Sequence, residues 1–278
     1  MPRWVWILSL FLFALPALAQ TSFPAVPTSP AVPASNDTAT APPQLLRASP
    51  PPPGASAQEL EKLGDDLRAQ KSYADAIDYY RAALAKATAG SAVLHNKTGI
   101  AQLMMLHYDK AKKEFERSIK SDPAYAEAYN NLGVVYYSQR DYKRAIKRYE
   151  QALGLRDSSA SFHSNMGTAY FARKQYDRAS AEYLRALELD PDIFERESAV
   201  GVSARLPSPG ERARFSYVIA KMYAKSGNAD RCLLYLKKAM EAGYAGISDV
   251  YKDEEFAQVR KDPRFAELMA SKPVAVSN

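Results

Sequence analysis

A glycine that returns at a nearly fixed interval constrains this chain more than any other feature. Gly64, Gly99, Gly133 and Gly167 are separated by 35, 34 and 34 residues. Ala76, Ala111, Ala145 and Ala179 repeat with the same spacings, each twelve residues after its glycine. Tyr73, Tyr108, Tyr142 and Tyr176 stand three residues before those alanines, and an aromatic (Tyr80, Phe115, Tyr149 or Tyr183) stands four after. A small residue follows three further on: Ala83, Ser118, Ala152 and Ala186. With only 12 glycines in 278 residues, such register marks a repeated unit. One unit cannot bury its own apolar face, so units of this kind stack on one another.

Inside a unit the period is helical. Tyr129, Leu132 and Tyr136 share one helix face, and Ala145, Tyr149 and Ala152 share a second. The glycine and alanine belong where the two helices cross closely, and the aromatic is expected in the wedge between one hairpin and the next. Asp109, Asp141 and Asp177 suit the starts of second helices, where the dipole favours negative charge. Asp122-Pro123 and Asp190-Pro191 stop second helices.

This pattern resembles the tetratricopeptide repeat family. Repeat three matches nearly throughout, with Tyr129 in the large-residue slot, and repeat four carries His163 there. Repeat two departs most, with Thr98 and Gln102 in place of the leucine and tyrosine. Ile219, Ala220, Tyr223, Cys232, Leu236 and Ala239 fit a degenerate fifth unit, which makes the lone cysteine a packing residue. The resemblance implies an all-α, superhelical solenoid of helix hairpins with a C-terminal helical cap. Four repeats occupy residues 57–191 (57–90, 92–125, 126–159 and 160–191). An insertion follows at 192–210, then the fifth repeat at 211–244, and capping helices with a tail at 245–278. Ser208-Pro209 reads as an N-cap and first-turn proline. Residues 253–259 and 263–270 are expected to form two short amphipathic helices. One unbroken apolar spine is expected from Leu60 onward.

The N-terminus has a different character. Arg3, an apolar run from Trp4 to Leu15, and Ala17-Leu18-Ala19 before Gln20 read as a signal peptide over residues 1–19. Residues 21–55 hold ten prolines, so 20–56 is expected to be an extended, disordered linker. Export to a periplasmic or extracellular location, with cleavage at about Ala19-Gln20, is the expectation.

No catalytic or metal motif appears. His95 and His163 occupy packing slots and His107 a turn, no H-E-x-x-H or C-x-x-C spacing occurs, and no cofactor, metal ion or enzymatic activity is expected. The formal charge of +6 is spread rather than concentrated, which argues against nucleic acid as a partner. Other proteins or peptides are the expected partners. Membrane contact is expected only transiently, through the signal peptide or a basic outer face: Lys110, Lys112, Lys113, Lys143, Arg144, Lys147 and Arg148.

The resemblance implies a concave groove lined by first helices. Its candidate partner-binding residues are Asn96, Asn130, Asn131, Val134, Tyr137, Asn165, Thr168 and Phe171. Amides there would pair with a peptide backbone, and the two rings, read as exposed, would anchor it. The family's carboxylate clamp wants Lys and Asn where Glu61 and Asp65 stand, so that mode is disfavoured. The same two acids, set against Lys221 in repeat five, make the groove look polarised. The resulting expectation is an exported, non-catalytic protein-binding scaffold. The alternative is a structural adaptor of an envelope assembly or secretion complex, using the basic outer face and the Pro-rich tether.

Overall fold

The computed structural model describes residues 50–195 and 208–271. The signal peptide, most of the linker, residues 196–207 of the insertion and the tail from 272 lie outside the described residues. Helices pair in sequence: α1 (Ala57–Ala69) with α2 (Tyr73–Lys86), α3 (Ser91–Met104) with α4 (Tyr108–Ser121), and α5 (Ala126–Ser138) with α6 (Tyr142–Leu155). The pattern continues with α7 (Ala160–Ala172) on α8 (Tyr176–Leu189) and α9 (Pro209–Lys225) on α10 (Ala229–Glu241). Each second helix also packs on the next first helix, which makes the array a solenoid. No strand occurs among the described residues.

Local chemistry fixes the ends. Ser56 Oγ accepts from Glu59 N–H while the Glu59 carboxylate accepts from Ser56 N–H, a capping box that starts α1. The last linker residues are held, because Lys86 Nζ donates to the Pro53 and Ala55 carbonyls at 2.6 Å. Ser208 accepts from Glu211 N–H ahead of Pro209, so α9 starts where its cap sequence places it.

The recurring aromatic lies against the glycine of its own hairpin, and in repeat four Tyr183 also meets Phe215 of the next hairpin at 5.3 Å between ring centroids. A Cβ added to Gly133 would meet Tyr149 Cε1 at 2.5 Å; Gly64 with Tyr80, Gly99 with Phe115 and Gly167 with Tyr183 give 2.6 Å each. All four rings are fully buried, as are Ala76, Ala111, Ala145 and Ala179. Their hydroxyls fare differently. Tyr80 Oη donates to Asp65 at 2.8 Å and Tyr183 Oη to Thr168 Oγ1 at 3.3 Å, but Tyr149 Oη has no partner among the described residues.

The apolar spine expected to run unbroken from Leu60 is divided. Leu60, Ala76, Tyr79, Tyr80, Ala83 and Leu94 form one cluster, and a separate main core runs from Ile100 to Phe265. Repeat two lies at the division. Thr98 and Gln102 are buried there, and the Thr98 hydroxyl turns back to the Leu94 carbonyl at 2.8 Å. Polar side chains at these slots cannot carry apolar contact through to the next unit.

The cap also differs from expectation. Residues 253–259, expected to form a first capping helix, instead make the 3-10 turn Glu254–Phe256 and the start of another at Val259–Lys261, after a further 3-10 turn at Ile247–Tyr251; one α-helix, α11 (Pro263–Ser271), follows. So short a stretch gains too few i→i−4 bonds to offset nucleation, and the packing of Val250, Phe256 and Val259 decides its shape.

Two outcomes follow from the ring contacts. Gly133→Ala gains about 1 kcal/mol of helix propensity but forces an overpacking cost of about 1–3 kcal/mol, so thermal melting should fall by a few degrees; an unchanged melt would remove the contact from this account. Tyr149→Phe, which deletes a buried unpaired hydroxyl, should raise stability by about 1 kcal/mol. Tyr80→Phe, which breaks the bond to Asp65, should lower it.

Candidate functional site

The first helices present a repeated polar ladder. Lys97, Asn131 and Asn165 occupy one repeat position, and Glu61, Asn96 and Asn130 occupy the position just before it in the preceding unit. Lys97 Nζ donates to Glu61 Oε1 at 2.6 Å, Asn131 Nδ2 to Asn96 Oδ1 at 2.9 Å, and Asn165 Nδ2 to Asn130 Oδ1 at 2.9 Å. Each unit thus hands a donor to an acceptor on the unit before it. Asn130 Nδ2 reaches Asn131 Oδ1 at 3.3 Å, linking two rungs, and Asn96 Nδ2 reaches Tyr125 Oη at 3.4 Å.

The eight groove candidates sit on α3, α5 and α7, and all are buried. Tyr137 and Phe171, read from sequence as exposed anchors, are only 5% and 2% exposed. Tyr137 packs on Tyr142, and Phe171 on Tyr176 and Phe215. The amides of Asn96, Asn130, Asn131 and Asn165 bond one another, so the expectation of amides open to a peptide backbone is corrected for the atoms that form the rungs. Thr168 Oγ1 donates to the Ser164 carbonyl at 2.8 Å, and Val134 is buried among apolar neighbours.

The polarity read from Glu61 and Asp65 is likewise cancelled within the chain. Lys97 bonds both, at 2.6 Å each. At the other end Lys221 pairs with Asp253 at 2.9 Å and Glu255 at 3.3 Å, and Tyr217 Oη donates to Asp253 at 2.8 Å. The turn Glu254–Phe256 therefore covers the repeat-five face expected to line the groove. Lys97 was missed, although its register with Asn131 and Asn165 was available in the sequence.

The histidines act within hairpins. His95 Nδ1 lies 2.8 Å from Glu114 Oε2, and His163 Nδ1 lies 2.7 Å from Glu182 Oε2, each pairing a first helix with its own second. His107 Nδ1 meets Gln102 Oε1 at 3.0 Å in a turn. Among the described residues no group of three His, Cys, Asp or Glu could hold a metal ion.

Cys232 is fully buried, and burial pushes its thiol up to about 12 from 9.0. Burial likewise raises Tyr149 and Tyr183 above 10.0. The neutral forms are favoured in the folded state, so this contribution is whole below about pH 9 and is lost as pH rises toward 12. Melting temperature should hold steady up to about pH 9 and then fall, tracked by tyrosinate absorbance; a flat profile to pH 12 would contradict these burials.

Comparison with known proteins bears on the same helices. A tetratricopeptide repeat model matches residues 96–160 and again 135–192. Among solved structures, a thermophilic protein of the same repeat type from Thermus thermophilus is 21% identical, covering 77% of this chain and 100% of that one with a TM-score of 0.48. MamA from Desulfovibrio magneticus RS-1, residues 41 to the end, is 17% identical over 68% of this chain and 96% of its own, with a TM-score of 0.47. Another MamA structure is 26% identical over 50% and 81%, with a TM-score of 0.44. No curated protein matches the sequence. The match spans residues 96–192, about a third of the chain, whose hairpins are similar to tetratricopeptide repeats, and α1–α2 and α9–α10 continue the same helix-pair packing at either end.

Proposed function

We propose that this protein is an exported, non-catalytic scaffold that binds other proteins or peptides along the face shared by its first helices. The observation that carries the reading is the ladder from Glu61 to Asn165, which locks α1, α3, α5 and α7 side by side into one continuous surface. A stiff surface loses little freedom on binding, which favours capture of an extended partner. The hollows at residues 139–143 with Arg173 and at 226–230 are open depressions at turns, unlike an enclosed reaction site. Export rests on the N-terminal signal pattern described above.

One observation favours the adaptor alternative. Lys110, Lys113, Lys143 and Lys147 are exposed on second helices. Among the described residues none of them has a carboxylate within ion-pair range.

Photocrosslinking in the native host separates the two. Benzoylphenylalanine at Arg68, Ser164 and Arg214, which retain solvent exposure on first helices, should capture one common protein, and the crosslinker-bearing chain recovered with it should begin at about Gln20. Capture only from Lys113 and Lys147 would transfer the function to the outer face. Capture from neither set would overturn both readings.

A further inference from the structure

The turns between first and second helices repeat one helix-ending geometry, a left-handed residue whose N–H groups close the last turn. Lys71, Leu106, Arg140 and Lys174 all adopt left-handed backbone, with φ of 63, 60, 62 and 60°. Their hydrogen bonds are equivalent. Leu106 N–H donates to the Leu103 carbonyl and His107 N–H to the Gln102 carbonyl, both at 2.9 Å, and Arg140 with Asp141 and Lys174 with Gln175 repeat the pair. The fifth hairpin makes the same turn with Gly227 at φ 76°. Glycine adopts this conformation without the Cβ clash that any other residue meets. Four side chains are thus held at a strained position that glycine would fill more easily, and all project along one edge of the solenoid.

Three of the four are cations and the fourth is a leucine. Leu106 is 67% exposed, the most exposed of the large apolar side chains among the described residues, and Met104 beside it is 40% exposed. Arg140, Lys143, Arg173 and Lys174 are exposed near the following turns, and none has a carboxylate in ion-pair range among the described residues. Arg140, Lys143 and Arg173 also line the open hollow at the repeat-three turn.

We propose that this edge docks on an anionic lipid bilayer, with Leu106 and Met104 entering the interface and Arg140, Lys143 and Lys174 meeting headgroup phosphates. The argument is charge complementarity combined with depth. An aliphatic prong flanked by unpaired cations matches a surface that is negative outside and apolar a few ångströms beneath. A nucleic-acid backbone offers the charge but no apolar layer for the leucine. The inference stands apart from the partner-binding face, which lies on first-helix side chains away from these turns.

The full chain serves for the test, since Cys232 is buried and leaves an introduced thiol as the reactive one. A polarity-sensitive dye is attached at Leu106→Cys or, leaving the strained turn intact, at Met104→Cys. Ser158→Cys, in the exposed turn at the opposite edge, reports binding by any other part of the chain. Vesicles of phosphatidylcholine with phosphatidylglycerol at about 3:1 should blue-shift both edge labels and leave residue 158 unshifted. Added salt should weaken the effect, and the triple change Arg140→Glu, Lys143→Glu and Lys174→Glu should reduce apparent vesicle affinity at least tenfold. Leu106→Gly should melt no lower than the parent yet diminish the shift at Met104→Cys. An absent shift at both edge positions, an equal shift at 158, or an undiminished shift on phosphatidylcholine alone would overturn the proposal. The same shift with polyglutamate in place of vesicles would assign the edge to an acidic protein and overturn it as well.

Discussion

Four of the five hairpins of this solenoid are closed by an aromatic ring lying on a glycine, and in the fifth Ala220 and Leu236, both fully buried, stand at those positions. That contact sets how near the two helices come, because a ring 2.5 Å from where a Cβ would sit leaves no room for any side chain. It also couples residues sixteen apart, as Gly133 and Tyr149 are, so the turn between the helices is fixed in length. Ala145 and its equivalents complete the crossing from the second helix. Because hairpin shape is the same each time, the next hairpin always meets the same surface, and a solenoid results rather than a globule.

Identical hairpins could still slide on one another, since apolar packing is tolerant of small shifts. The ladder removes that freedom. Every rung joins a position to the one that follows it in the next unit, and hydrogen bonds are directional where packing is not. Rung chemistry changes along the array. A lysine with two acids joins repeats one and two, and amides join the units that share the main core.

The hairpins and their crossing residues were legible in the sequence because they depend on contacts at fixed separation within one unit. Ser208-Pro209 was legible for the same reason: a cap is a local event. What escaped were contacts between units. Lys97 looks like any solvated lysine until it is set beside Glu61, 36 residues earlier. Tyr137 and Phe171 read as groove anchors, but their rings are taken by Tyr142, Tyr176 and Phe215. The 3-10 turns of the cap escaped because their shape is set by what they pack on, not by their own periodicity. Tyr217 illustrates this, stacking on Tyr244 at 4.6 Å while donating to Asp253.

The join between repeats four and five shows what replaces the ladder when the 34-residue register fails. The position that supplies Asn165 in repeat four holds Val218 in repeat five, which cannot donate to Ser164. Residues at the start of the insertion take over. Tyr223 Oη donates to the Pro191 carbonyl at 3.1 Å, Tyr235 Oη donates to the Phe194 carbonyl at 3.1 Å, and Arg231 bonds both the Pro191 carbonyl and Asp192. Phe194 stacks edge-on to Tyr183 and Phe215, filling the seam between α8 and α9. Three of these four bonds run from a side chain to a main-chain carbonyl, where the rungs run from side chain to side chain. A main-chain carbonyl is present whatever the residue, so this joint tolerates sequence drift that would break an asparagine rung, which fits the degenerate character of the fifth repeat.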